Sequence, residues 1–372
     1  MLIIKQKNII INNCCKAMVF TILLFLYQGC SRSYSVLNKF KHKIYLSTQK
    51  ETEIKHQLNP KQIYLMDSVI VLQNTDTDGF MFSILDTSNF KLLARFGKQG
   101  SGPNEIGDVC CTNKINGNSL IVRDLDTEAY LFSIKNILSG DISPIKTFTP
   151  HNKTNKLRCG SICFVGNTTV CSGIFAKGRY AILDSTNCIT NYFVQYPEFD
   201  NPNNDSLVPA LAFQATLCNQ PNGNLFASLS SGIIDIAEYK PTGEIVLKTR
   251  NKHYNTEKKH GENVNIDGVS IPIVATSIKS TIGFDAWHFQ ATTQTIYCLF
   301  SEKRFEEFME HGDRITYPHL LSFDWNGNQQ THYILDKEVI GCAISSDNNV
   351  AFFLSFNEND EPIISKAYLK DI

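Results

Sequence analysis

Residues 80–96 read FMFSILDTSNFKLLARF. Phe80–Leu85 is a run of β-type residues, Asp86-Thr87-Ser88-Asn89 interrupts it, and Lys91–Phe96 carries the chain away again. Asp, Asn and Ser mark such turns because they tolerate positive φ or bond their own backbone. The stretch predicts two antiparallel strands joined by a tight polar turn. Upstream, Ser68–Gln73 (SVIVLQ) supplies another strand of the same group.

The grammar recurs along the chain. Ser119–Asp124 leads to Ala129–Ile134. Tyr180–Leu183 and Ile189–Val194 flank Asp184-Ser185-Thr186-Asn187, and Ile233–Tyr239 and Glu244–Lys248 flank Pro241-Thr242-Gly243. Asn326-Gly327, between His319–Phe323 and Gln330–Leu335, predicts a type I′ hairpin. Val350–Phe356 and Pro362–Tyr368 end the series. Comparable turn positions fall at Asp86, Lys135, Asp184, Lys240 and Asp324, which are 49, 49, 56 and 84 residues apart. A period near 50 residues, each unit holding three or four strands, is the signature of a propeller blade. The long last gap marks an insertion around residues 251–285. Six groups cover residues 60–372, so we expect an all-β fold: a six-bladed β-propeller of antiparallel sheets. Stacked blades share their burial, which lets such a length form one domain. Lys43–Ser47 and Glu53–Gln57 are expected to complete the last blade and close the ring. The one helix candidate is Lys303–His311.

Composition agrees with a folded chain. Of 372 residues, 42% are hydrophobic and 19% charged, which excludes a disordered or supercharged protein. The formal net charge of -1 leaves no electrostatic footprint for nucleic acid. No apolar run reaches the roughly 20 residues of a membrane-spanning helix.

The N-terminus reads as an export signal. Lys5, Lys7 and Lys16 precede an apolar run of 11, residues 17–27, followed by Gln28-Gly29-Cys30. Cys30 after Gly29 resembles the lipobox of bacterial lipoproteins, although Tyr27 stands where that pattern has an aliphatic residue. The resemblance implies that Cys30 becomes the lipidated first residue of the mature chain; the alternative is a buried thiol in an uncleaved signal anchor. The expected organisation is a signal peptide over 1–29, a lipidated Cys with a tether and ring-closing strand over 30–59, and the propeller over 60–372. Ser31, Arg32 and Ser33 lack the acidic cluster that resembles a surface-export tag. The expected location is the cell envelope, lipid-anchored at the periplasmic face of the outer membrane.

The loop after the first group narrows the family. Arg95-Phe96-Gly97-Lys98-Gln99-Gly100-Ser101-Gly102-Pro103-Asn104-Glu105 resembles the first-blade motif of TolB-like six-bladed β-propeller lipoproteins. That resemblance implies a fold and an envelope location, with no established catalytic residues. Two readings of Arg95, Gly97, Gly100, Gly102, Pro103 and Glu105 stay open: a structural connection between blades, or a ligand-facing loop at the channel mouth. A phosphate loop does not fit, because no Lys-Ser/Thr follows and no helix opens.

Other chemistry is thin. Nine cysteines follow Cys30, mostly inside apolar strands, where thiols pack as small hydrophobes; disulfides remain open. Cys159-x₃-Cys163 has no second pair or His at ligand spacing, so no metal is assigned. Asp76-Thr77-Asp78-Gly79 opens like a calcium loop, but its twelfth position is Thr87 rather than Glu. His288, beside Asp285 and Trp287, is the most suggestive histidine, and a satisfied strand histidine is its simpler reading. No catalytic residue and no cofactor is expected. Three functions remain. The first is a non-catalytic binding or scaffolding propeller whose partner is an envelope protein, a peptide or a glycan. The alternative is a lactonase-like, metal-dependent envelope hydrolase, with Glu105, Asp108, Asp124 and Asp285 as candidate axial ligands. The third is a sensory module.

Overall fold

Each strand–turn–strand unit closes into a sheet of its own in the computed structural model. It describes residues 36–369, apart from 55–57, 75–78, 103–104, 108, 116–117, 125–127, 152–158, 200–204, 206, 231, 254–257, 261–263, 267–268, 272–273, 277–279 and 312–313. Val36–Lys39 form a single 3₁₀ turn. The remainder, from Phe40, is a six-bladed propeller.

The first blade consists of Pro60–Met66, Val69–Asn74, Phe80–Asp86 and Leu92–Lys98, paired antiparallel in that order. The second runs from Val109–Ile115 to Lys146–Phe148, the third from Cys159–Val165 to Ile189–Phe193, and the fourth from Thr216–Asn219 to Ile245–Lys252. The fifth holds Thr281–Phe284, Gln290–Ala291, Thr295–Arg304, Tyr317–Asp324 and Gln329–Val339. The sixth holds Gly341–Ile344, Val350–Phe356 and Pro362–Tyr368.

The N-terminal segment joins two blades. Gln49–Glu53 pairs antiparallel with Pro362–Tyr368, Glu53 opposite Ile363, and supplies the sixth blade's outer strand. His42–Leu46 instead pairs in parallel with Gln329–Val339, His42 opposite Thr331, as an added edge of the fifth blade. The ring is thus closed four residues earlier in sequence than the Glu53–Gln57 pattern suggests.

Cores lie between blades rather than within one centre. Val71, Phe82 and Phe96 of the first blade pack on Leu120, Val122 and Phe132 of the second. Ile70 and Leu72 meet Phe352 and Leu354 of the sixth, which closes the circle. A blade is therefore covered on both faces. That explains Val69–Asn74, in which all six residues are buried and no polar alternation is seen. All seven cysteines from Cys159 to Cys342 are free thiols; burial pushes those of Cys163, Cys171, Cys298 and Cys342 up, as for core hydrophobes.

The polar turns share one geometry. At Asp324 the N–H donates to Asn328 O, its carbonyl accepts from Gly327 N, and its Oδ1 accepts from Asn326 N and Asn328 N. Asp86, Asp184 and Asn357 repeat the arrangement, with Phe90, Asn187 and Asp360 at positive φ. In the second blade the helix Ile134–Leu138 replaces the turn; Ser133 caps it by accepting from Asn136 N. Gly327 has positive φ (80°) and Asn326 does not, so this hairpin is a type I turn with a bulge, not the expected type I′. The Asp324 carboxylate selects it by capping two N–H groups that a two-residue turn would leave elsewhere. The insertion forms two short ribbons, Lys258–His260 with Val274–Thr276 and Val264–Ile266 with Val269–Ile271. The helix is Phe305–His311, with Lys303 and Arg304 still in the strand.

Gly327 also anchors the fourth blade, because its carbonyl accepts from Asn251 Nδ2 at 2.8 Å. A Cβ there would stand 2.1 Å from that nitrogen. Gly327→Ala is expected to destabilise the fold by about 1–3 kcal/mol, measured by chemical unfolding; Asn326→Ala, at ordinary φ, should cost much less.

Candidate functional site

First strands of neighbouring blades lie together at several junctions, Pro60–Met66 with Gly341–Ile344, Val109–Ile115 with Cys159–Val165, and Cys159–Val165 with Thr216–Asn219, and they line the axial cavities. They run in one direction through the ring. Residues at their starts therefore mark one end of the channel and residues at their ends mark the other. Two cavities follow this axis. One, about 730 Å³, opens at the end where strands begin and is lined by Asn59, Gln62, Gln73, Asn74 and Asp285 among others. The second, about 270 Å³, lies towards the end where strands leave and is lined by Tyr64, Asp67, Thr112, Lys114 and Asn219 among others. Both volumes suit a small ligand more than a macromolecule.

Trp287 and His288 line both cavities. They sit there because the fifth blade's inner strand is interrupted. Phe284 pairs with Phe300 and Gln290 with Tyr297, so five residues, 285–289, stand opposite two, 298 and 299. The surplus leaves the sheet and enters the channel as an enlarged bulge, a device common beside functional sites. His288 is therefore not a strand histidine.

Asp285 holds this excursion. Its N–H donates to Leu299 O at 2.9 Å, and its Oδ1 accepts from Trp287 N at 2.9 Å. Its Oδ2 lies 2.5 Å from His288 Nδ1. Both side chains are nearly fully buried. His288 Nε2 is buried without a hydrogen-bond partner and rests against Gly341, where a Cβ would approach it to 2.4 Å. Glycine is required there by the imidazole. The result is a fixed, oriented ring beside Trp287, whose indole is 48% exposed.

Polar ties brace the wall between the cavities. Tyr64 Oη donates to Gln62 Oε1, and Thr112 Oγ1 donates to Gln73 Oε1 at 3.1 Å. Asn113 Nδ2, with two hydrogens to donate, lies within hydrogen-bond reach of Ser161 Oγ, Ile162 O and Leu217 O, which joins three blades at the axis. Gln290 clamps the sixth blade, donating to Cys342 O and accepting from Ile344 N. Burial holds the Lys114 amine below the usual lysine range, against the opposing pull of Asp67.

The glycine-rich loop is self-contained. Glu105 Oε1 lies 2.5 Å from Lys98 Nζ, and Oε2 accepts from Gly102 N at 2.8 Å. These contacts hold its carboxylate below the usual range. A Cβ on Gly100 would stand 2.0 Å from Glu105 Oε2, so the side chain occupies the space that glycine leaves. Gly100, Gly102 and Glu105 are thus brought together, while Gly97 packs against Phe82 and Ile106 and Arg95 lies in the first blade's outer strand opposite Ser83. Cys30, Pro103, Asp108 and the Asp76–Asp78 stretch lie outside the described residues. Of the candidate axial carboxylates among the described residues, Glu105, Asp124 and Asp285, only Asp285 lines a channel cavity; Asp124 accepts from Gly107 N. Among the described residues no group of three or more His, Cys, Asp or Glu is placed to hold a metal ion.

The amides of the mouth escape sequence reading. Gln73 and Asn74 end a strand whose other residues are apolar, and Gln62 stands directly before the apolar run Ile63–Met66; a polar residue beside such a run was the available signal.

Comparison with known proteins gives a fold and little more. A family model described as TolB-like 6-blade propeller-like matches residues 38–347. The crystal structure of a member of the duf4221 family from Bacteroides vulgatus aligns with a TM-score of 0.54 at 9% identity, covering 88% of this chain and 98% of that one. Structures of U3-55K and of RRP9 WD40 repeats, also at 9% identity, cover 85% and 86% of this chain and 98% and 99% of theirs. Their TM-scores of 0.45 carry no argument. No curated protein matches the chain.

Removing the carboxylate under the excursion tests how firmly it is held. Asp285→Ala leaves His288 Nδ1 and Trp287 N without their buried acceptor, and should cost about 1–3 kcal/mol. Acrylamide quenching of Trp287 should rise at the same time, since the indole loses its anchor.

Proposed function

The chain belongs to the TolB-like six-bladed propeller family, and from that premise we propose that it is an exported, lipid-anchored binding protein of the bacterial cell envelope. Its ligand sits at the mouth of the central channel, and the protein does not turn it over. The observation that carries this reading is the 730 Å³ mouth cavity, with its oriented amides and the Asp285-braced excursion. A concave site with a few fixed polar groups is the form that small-ligand recognition takes. The glycine-rich loop acts as a connection between the first two blades, since its single carboxylate is consumed within the loop. Partners of this site are an envelope glycan, a peptide, or a protein that presents a small group to the mouth.

Lipid attachment at Cys30 places the propeller at the periplasmic face of the outer membrane. Cys30→Ala should abolish incorporation of labelled palmitate and release the chain from the membrane fraction. Palmitate retained by the variant would refute the attachment.

For the ligand, the full chain is exposed to an array of peptides and glycans, read for retention and for cleavage. Saturable retention of one class without product is expected, and Gln99→Trp, which fills the mouth from an exposed loop position, should remove it. Retention of nothing, retention untouched by Gln99→Trp, or release of a cleaved product would each overturn the reading.

A further inference from the structure

The mouth cavity also shows what kind of group it meets. Five amide side chains, Asn59, Gln62, Gln73, Asn74 and Gln99, dominate its polar lining. An amide presents donors and an acceptor in one plane, the combination that neighbouring ring hydroxyls satisfy best. Gln62 and Gln73 are already oriented by Tyr64 and Thr112.

The charges at this wall are largely engaged. Asp285 faces His288, and Arg314 pairs with Asp360 while lying 3.6 Å above the Phe356 ring. Lys61 adds an exposed amine at the rim. A phosphate or carboxylate ligand calls for a guanidinium or ammonium free of other carboxylates, and the buried polar lining offers instead the amides of Gln62, Gln73 and Asn74 and the mutually paired Asp285 and His288.

An aromatic surface completes the set. The chain has two tryptophans. Trp325 is buried and donates to Thr292 O, whereas Trp287 is half exposed on the excursion that enters the channel. An indole face receives the C–H face of a pyranose, leaving the equatorial hydroxyls to the surrounding amides. Asn74 Oδ1, buried and without a partner among the described residues, is an acceptor that such a hydroxyl can serve.

We propose that the mouth cavity binds a neutral, hydroxyl-rich ligand of one or two sugar units, stacked on Trp287 and read by the amides of Gln62, Gln73 and Asn74. This deepens the channel-mouth reading above and rests on it.

The test titrates the full chain with cellobiose, maltose, lactose and chitobiose, following tryptophan emission and acrylamide quenching. Trp325 is shielded by the fold, so quenching reports Trp287. At least one disaccharide should protect Trp287 saturably. Trp287→Ala should then weaken that sugar about tenfold by calorimetry, with an unchanged melting temperature, and Trp287→Phe should restore most of the affinity. If no disaccharide binds while array peptides do, the sugar assignment falls and the binding reading stands. If neither binds, both fall. Sugar binding untouched by Trp287→Ala would overturn the placement on the indole.

Discussion

Closure of the ring by Gln49–Glu53 is the constraint on which everything else rests. Its partner Pro362–Tyr368 would otherwise be an open edge, and the sixth blade would have three strands. Open edges are points of failure in any sheet protein. Here the consequence is larger, because the hydrophobic clusters lie between blades. Ile70 and Leu72 are covered by Phe352 and Leu354 only while the first and sixth blades stay adjacent. Strand pairing at one seam thus maintains burial around the whole circle. His42–Leu46 ties the same N-terminal segment to the edge of the fifth blade as well.

The channel follows from the closed ring. Inner strands that run in one direction converge on an axis, and wherever their side chains stop short a cavity remains. The fifth blade alters this symmetry with three surplus residues opposite its second strand. That local excess is what moves an Asp-supported imidazole and an indole from a sheet face into the axis. Each fixed group of the mouth is held by a partner outside the mouth cavity: Asp285 by Leu299, Gln73 by Thr112, Gln62 by Tyr64. Such support allows polar side chains to stay oriented inside the ring.

Much of this fold is legible in sequence because its turns are locally encoded. Asp86, Asp184 and Asp324 each cap backbone N–H groups two to four residues ahead, so the signal and the structure occupy the same few residues. The strand Gln49–Glu53 (QKETE) shows the opposite case. It has no apolar pattern and is a strand only because a distant edge needs a partner. The second blade's helix was hidden for a similar reason: Lys135 falls at the expected turn spacing, and the Ser133 cap decides otherwise. At the mouth, Gln62 and Asn74 come from two strands of one blade while Asp285 comes from another more than 200 residues away. No spacing rule connects them. His288 was visible beside Asp285 and Trp287, but its departure from the strand depends on register against residues 297–300.

The seam also sets an order of events during synthesis. Gln49 must find Lys366, 317 residues later in the chain. At roughly 5–20 residues per second, the first strands wait about 15–60 s for their partner to be made. Over that interval the early blades can stack, but the circle cannot close. Until Pro362–Tyr368 is made, Gln49–Glu53 has no edge to pair with. Contact order here is imposed by two short strands rather than by the blades, whose own hairpins are local. Ring closure can come only after the partner edge Pro362–Tyr368 has been made.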